Sequence, residues 1–163
     1  MANSSDLGPP PEVWAFQERL LPVYEALAEV GAGDVAYFCV ATDATNRRLI
    51  VCRTNEASEV TDADYKAVVP DWTRVDFGDA VLSRRQVRTL HEVVRQRKDW
   101  LKARGISPQA CGPSSDRSGV GWHGGPFELM YDGPGEFDDQ AQEPFLLYGP
   151  GTVIFKRGRV VPL

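Results

Sequence analysis

The chain has 163 residues, of which 42% are hydrophobic and 25% charged, and its formal net charge is −5. This length suits one domain with a substantial core, so we expect residues 1–163 to form a single domain behind a disordered lead-in over 1–11. No apolar run approaches the roughly 18 to 20 residues of a membrane span, and the N-terminus lacks the basic and apolar regions of a secretory signal.

The three cysteines point to a reducing compartment. Cys39, Cys52 and Cys111 are an odd number and form no recognisable disulfide framework. We therefore expect a cytoplasmic protein in which cysteine serves as a small apolar residue.

The first half of the chain predicts a helix, a hairpin and a second, short helix. Apolar residues recur at spacings of three and four from Val13, which predicts a helix that begins near Pro11 and is kinked or divided at Pro22. Two β-rich runs, 36–42 and 48–53, are joined by a turn over 43–46 and predict a β-hairpin. Thr61 can cap a helix that Pro70 ends, and residues 72–81 predict a strand.

The second half opens with a long helix. Ser83 is suited to cap it and Gly105 to end it. Strands are predicted over 106–111, 120–123, 127–131, 145–148, 152–156 and 159–161, with an acidic loop over 132–143. The resulting fold is α+β: a ferredoxin-like antiparallel sheet with helices on one face, an N-terminal helix and extra C-terminal strands.

Several segments of the central region resemble the pro-segments of secreted bacterial serine proteases of the α-lytic and streptogrisin kind. They are 43–47 before 49–51, Leu82-Ser83 at the start of a long helix, Gly105-Ile106-Ser107, and the hairpin from Gly112-Pro113 to Gly119-Val120. Such pro-segments bind the protease that they precede, as folding chaperones and inhibitors. The resemblance covers a little over half the chain and implies a non-catalytic binding role.

Charge is concentrated in the long helix. Between Ser83 and Gly105 there are eight Lys and Arg against Glu92 and Asp99, which gives this segment +6 and leaves −11 for the rest of the chain. Such a helix can be a solvated face, a docking surface for an acidic protein, or a phosphate-backbone contact. The sequence pI near 5.0 argues against nucleic acid. We expect an acidic protein partner, contacted by Arg84, Arg85, Arg88, Arg95 and Trp100.

One cysteine has a surrounding sequence that suggests catalysis. Gln109-Ala110-Cys111-Gly112 is similar to the sequence around some cysteine nucleophiles, and Cys111 could pair with His123. This favours a small Cys/His-dependent hydrolase or transferase as the alternative function. A buried strand cysteine is the simpler interpretation of Cys111.

No motif predicts a cofactor or a metal. The chain has two histidines and no C-x-x-C, and its acidic loop lacks the regular spacing of a calcium loop. We therefore expect no cofactor and no metal site. The leading hypothesis is a non-enzymatic protein-binding module of the accessory, inhibitor or immunity type, and the sequence does not decide its oligomeric state.

Overall fold

The structure, a computed structural model, describes residues 8–114 and 124–160. Its elements in chain order are α1 (Pro11–Gly31), β1 (Tyr37–Asp43), β2 (Arg48–Arg53), α2 (Asp62–Ala67), β3 (Arg74–Asp79), α3 (Arg84–Ala103), β4 (Ser107–Pro113), β5 (Phe127–Asp132), α4 (Asp139–Gln142), a 3-10 turn (Glu143–Phe145) and β6 (Val153–Arg157). The fold is α+β, with the N-terminal helix and C-terminal strands that the sequence predicts. α1 remains one continuous helix, although Pro22 lies inside it.

The described strands form two three-stranded sheets, ordered β1-β2-β3 and β4-β5-β6. In each sheet the first pair is antiparallel and the second pair is parallel. The ferredoxin-like arrangement of one antiparallel sheet is not confirmed. The physical reason is that a short helix follows each hairpin and carries the chain back across the sheet, so the third strand returns parallel to the second.

The two sheets share one topology with their helices. Each half of the chain runs helix, strand, strand, short helix, strand, and each strand of the second sheet begins 70 or 79 residues after its counterpart in the first. The C-terminal strands therefore belong to a sheet of their own and do not extend the first one.

α1 buries the side on which its apolar residues recur at intervals of three and four. This side packs against the first sheet, and α2 adds the buried ring of Tyr65, which stacks on Tyr37 with ring centroids 6.1 Å apart. The buried members of this first core are Phe16, Leu20, Val23, Leu27, Tyr37, Leu49, Val51 and Tyr65.

α3 packs against the second sheet in the same manner, and aromatic rings from the C-terminal segment complete that core. Phe38 of β1 packs against this core as well as against the first sheet. Gly124 joins the two halves, since its carbonyl accepts from the Val81 N–H at 2.7 Å. Its φ of +51 is left-handed, and a Cβ there would lie 2.7 Å from the Ala80 side chain, so only glycine fits this approach.

The C-terminal segment differs from the sequence expectation in two places. Residues 145–148 form no strand; Phe145 ends the 3-10 turn and is buried. The cause is local, because Asp138 caps α4 by accepting from the Ala141 N–H at 2.8 Å and so starts a helical run. Arg159 and Val160 also lie outside any strand, because the ladder with β5 ends at Arg157. The strand predicted at 120–123 falls outside the described residues.

Candidate functional site

The basic helix α3 is fixed at both ends by local interactions. The Ser83 hydroxyl accepts from the Gln86 N–H at 3.2 Å, and the Gln86 side-chain oxygen accepts from the Ser83 N–H at 2.9 Å. This reciprocal cap satisfies two backbone groups at the start of the helix. Gly105, at φ +76, ends it in the left-handed conformation. The apolar residues Val87, Leu90, Val94 and Leu101 face the core and hold the helix to the second sheet.

One line of side chains along α3 is exposed and basic. Its members are Arg84, Arg88, His91, Arg95, Lys98 and Lys102, all of them exposed. Successive members are three or four residues apart, which confines the six to a strip about 80° wide and about 27 Å long. We call this set the cationic line. It runs beside the edge strand β4, which His91 contacts through Cys111.

No described carboxylate outside α3 forms an ion pair with the cationic line. Within the described residues, the one ion pair that α3 makes joins Arg95 to Glu92 at 2.5 Å, inside the same helix. That guanidinium holds the pKa of the Glu92 carboxyl below its ordinary value. The other ion pairs lie outside α3, and the carboxylates in them are Asp43, Asp62, Asp76, Asp79, Asp132 and Glu136.

Trp100 lies on a different side of the helix from the cationic line. Five residues separate it from Arg95, which places the two side chains about 140° apart around the axis. Its half-buried ring packs against the second core, with the Arg104 guanidinium 4.3 Å and the Arg97 guanidinium 5.7 Å from the ring centre. Trp100 therefore lies apart from the cationic line, and a contact that combines Trp100 with these arginines stays a prediction. Helical spacing would have shown this, and would also have added Lys98 and Lys102.

The first turn of α3 lies close to the C-terminal end of α1. The Arg84 guanidinium stands 5.1 Å from the centre of the Tyr37 ring, and Arg85 donates to the Gly33 carbonyl at 3.5 Å. Burial raises the pKa of Tyr37, while the Arg84 charge acts in the opposite direction. Arg85 lies about 60° to 100° around the helix from Arg84 and Arg88, so it belongs to this junction and not to the cationic line.

Cys111 contacts a histidine that the sequence interpretation did not pair with it. Its sulfur lies 3.3 Å from Nδ1 of His91, on the neighbouring face of α3. The predicted partner, His123, falls outside the described residues. Burial raises the pKa of the Cys111 thiol, which disfavours the reactive thiolate. An open depression of about 430 Å³ lies along β4 beside this residue. The pairing depends on how α3 sits over β4, so no local motif could have revealed it.

The other two cysteines face each other across the first hairpin. Cys39 of β1 is directly opposite Cys52 of β2. A hydrogen bond with the Cys52 thiol lowers the pKa of Cys39, burial raises it, and the Arg84 charge lowers it further; the net shift is downward. The pKa of Cys39, which carried no motif in the sequence, is thus lowered, whereas that of Cys111 is raised.

The described residues contain no group of three or more His, Cys, Asp or Glu side chains able to hold a metal ion. Two carboxylates of the acidic loop have partners within the chain. Asp138 caps α4, and Glu136 forms an ion pair with Arg157 at 2.7 Å. None of the helices within 8–114 and 124–160 is long and apolar enough to cross a membrane.

Comparison of the chain with protein-family models, curated proteins and solved structures gave no match.

Proposed function

We propose that this protein is a non-enzymatic binding module that docks the cationic line of α3 on an acidic face of another protein. The observation that carries this proposal is the alignment of Arg84, Arg88, Arg95, Lys98 and Lys102 on one exposed strip. Among the described residues, these five cations make one ion pair, that of Arg95 with Glu92. A rigid helix that presents cations at fixed spacing steers and orients an oppositely charged surface.

The balance of charge favours a protein over a nucleic acid. The whole chain carries −5, so a phosphate backbone longer than the strip would meet a repelling surface on either side. An acidic patch on a partner protein can be small enough to contact the strip alone. The resemblance of the central region to protease pro-segments, which act by binding, supports the same class of function. The three cysteines of the chain, an odd number with no recognisable disulfide framework, support a cytoplasmic location.

The alternative of a small Cys/His-dependent hydrolase or transferase has weaker support. The contact between Cys111 and His91 supplies a thiol and an imidazole within reach of each other. Activation of a cysteine nucleophile requires a lowered pKa, whereas burial raises the pKa of Cys111. We therefore assign no catalytic role to this pair.

The test compares two variants that lose the same charge. The first, Arg88→Gln/Arg95→Gln/Lys102→Gln, neutralises the cationic line. The second, Lys66→Gln/Arg97→Gln/Lys156→Gln, removes three exposed cations elsewhere. Each protein is immobilised and incubated with lysate of the native host at about 50 mM and about 300 mM salt, which spans strong and weak screening.

We expect the wild type and the second variant to retain the same acidic protein at low salt. Affinity for that protein, measured with purified components, should fall about tenfold or more in the cationic-line variant and also fall at high salt. Equal retention by both variants would refute docking through the cationic line. Retention of nuclease-sensitive material by the wild type would instead indicate a nucleic-acid partner.

A further inference from the structure

A small cavity of about 190 Å³ lies where the C-terminal end of α1 meets the start of α3. Arg84, Arg85 and Arg88 all line it, together with Tyr37 and Asp34. It is smaller than the roughly 300 to 1,000 Å³ of pockets that take drug-sized ligands. The cavity therefore has room for a small group and not for an extended molecule.

The three arginines retain hydrogen-bonding capacity toward the cavity. Arg84 is positioned by the ring of Tyr37, at 5.1 Å, and Arg85 makes one long contact of 3.5 Å with the Gly33 carbonyl. Arg88 lies one helical turn beyond Arg84. None of these three guanidinium groups is in an ion pair with a described residue of the chain. Each guanidinium carries five N–H donors, so most of their donors are available to a ligand.

Among the described residues, Asp34 is the one carboxylate that lines the cavity, and its oxygens already accept hydrogen bonds. They accept from the Ala36 N–H at 3.1 Å, the Ser58 hydroxyl at 2.5 Å and the Tyr65 hydroxyl at 3.3 Å. These bonds join the loop after α1 to α2 and hold the carboxylate in place. With three cations and this one anion, the described part of the lining has a formal charge of +2.

We propose that this cavity binds a phosphate group. Planar guanidinium groups bind phosphate oxygens through paired N–H donors, and a lining of +2 matches the charge of a phosphate monoester near neutral pH. The phosphate comes either from a small molecule or from a phosphorylated side chain of a protein. The site goes beyond the proposed function and shares only Arg84 and Arg88 with the cationic line.

The experiment uses the whole chain and measures binding of inorganic phosphate by calorimetry, at constant ionic strength maintained with chloride. Arg88→Gln removes one of the three guanidinium groups and is expected to weaken phosphate binding by about tenfold or more. Arg95→Gln removes the same charge about 10 Å farther along the same helix and should change the affinity less than about twofold. Ala32→Phe, at an exposed position of the lining, should abolish binding by occupying the cavity without altering charge.

Two further ligands distinguish the sources of the phosphate. Tighter binding of a phosphoserine peptide than of both inorganic phosphate and a small phosphate monoester supports a phosphorylated protein as the ligand. Equal or tighter binding of the free anion or monoester supports a small molecule. Both results uphold the phosphate site.

The proposal is overturned if inorganic phosphate shows no saturable binding up to about 20 mM, well above a millimolar dissociation constant. It is overturned equally if Arg95→Gln weakens binding as much as Arg88→Gln, since the effect would then be general screening. Neither result bears on the proposed function, because no protein partner is present and the cationic-line variant is tested separately.

Discussion

Neutralising two arginines at the start of α3 should leave the fold as stable as before or make it more stable. The double variant is Arg85→Gln/Arg88→Gln, and both side chains are exposed. Arg85 lies in the first turn, where the positive end of the helix dipole opposes a cation by about 0.3 to 1 kcal/mol at low salt. Arg88 repels Arg84 and Arg85 at helical spacings of four and three, by about 0.2 to 0.5 kcal/mol for each pair.

The interactions lost in this variant are smaller. Arg85 gives up a contact of 3.5 Å with the Gly33 carbonyl, which is at the limit of a hydrogen bond and worth about 0.5 kcal/mol. Arg88 gives up a weak attraction to Glu92, four residues further along the helix, whose carboxylate is already bound to Arg95. Together these terms increase the free energy of unfolding by up to about 1 kcal/mol, which raises the melting temperature of a chain this size by up to about 2 to 4 °C.

The assay is thermal unfolding followed by circular dichroism in phosphate-free buffer, at about 10 mM and about 0.5 M sodium chloride, because screening should remove the gain at high salt. Lys102→Gln is the matched control: it removes a cation from the last turn of the same helix, where the dipole favours it, so its effect should have the opposite sign. A loss of more than about 1 kcal/mol in the double variant would refute the reasoning and would mean that these arginines brace α1 against α3. A gain would mean that these arginines do not stabilise the fold.

Two further predictions concern titration. Cys39 should react with iodoacetamide near pH 8 before Cys111, because a hydrogen bond with Cys52 lowers the pKa of Cys39 and burial raises that of Cys111. Peptide mass spectrometry measures the order of modification. The variant Cys52→Ala should slow the reaction of Cys39. Asp43 has its pKa lowered from 3.8 to about 2, first by the Asn46 side-chain amide and then by Arg48. A depressed carboxyl pKa stabilises the fold above the unfolded value and loses this contribution as the pH falls through the folded value. Urea unfolding between about pH 5 and pH 2 should therefore show a steeper acid loss for the wild type than for Asp43→Asn, and equal slopes would contradict this assignment.

Several features of the fold depend only on neighbouring residues. The start of α1 at Pro11, the hairpin of β1 and β2, and the cap of α3 at Ser83 were predictable from the chain because each depends on residues within a few positions of one another. The cationic line is local too: its spacing of three and four residues is legible in the sequence once rotation around the helix is counted, and that rotation also removes Trp100 from the line.

Other features depend on segments that lie far apart in the chain. Where each short helix packs decides that β3 and β6 return in parallel and that the strands divide into two sheets. Pairing between strands so far apart in the chain has no signature in a single segment. The contact of Cys111 with His91 requires α3 to lie over β4, and the cavity lined by three arginines requires the end of α1 to meet the start of α3. The sequence by itself determined which helix is basic and which of its sides is exposed, because periodicity and capping are properties of neighbouring residues. Only the tertiary structure decided which segments lie next to that helix. The helix is positioned by apolar side chains that are buried together, and these side chains come from both halves of the chain.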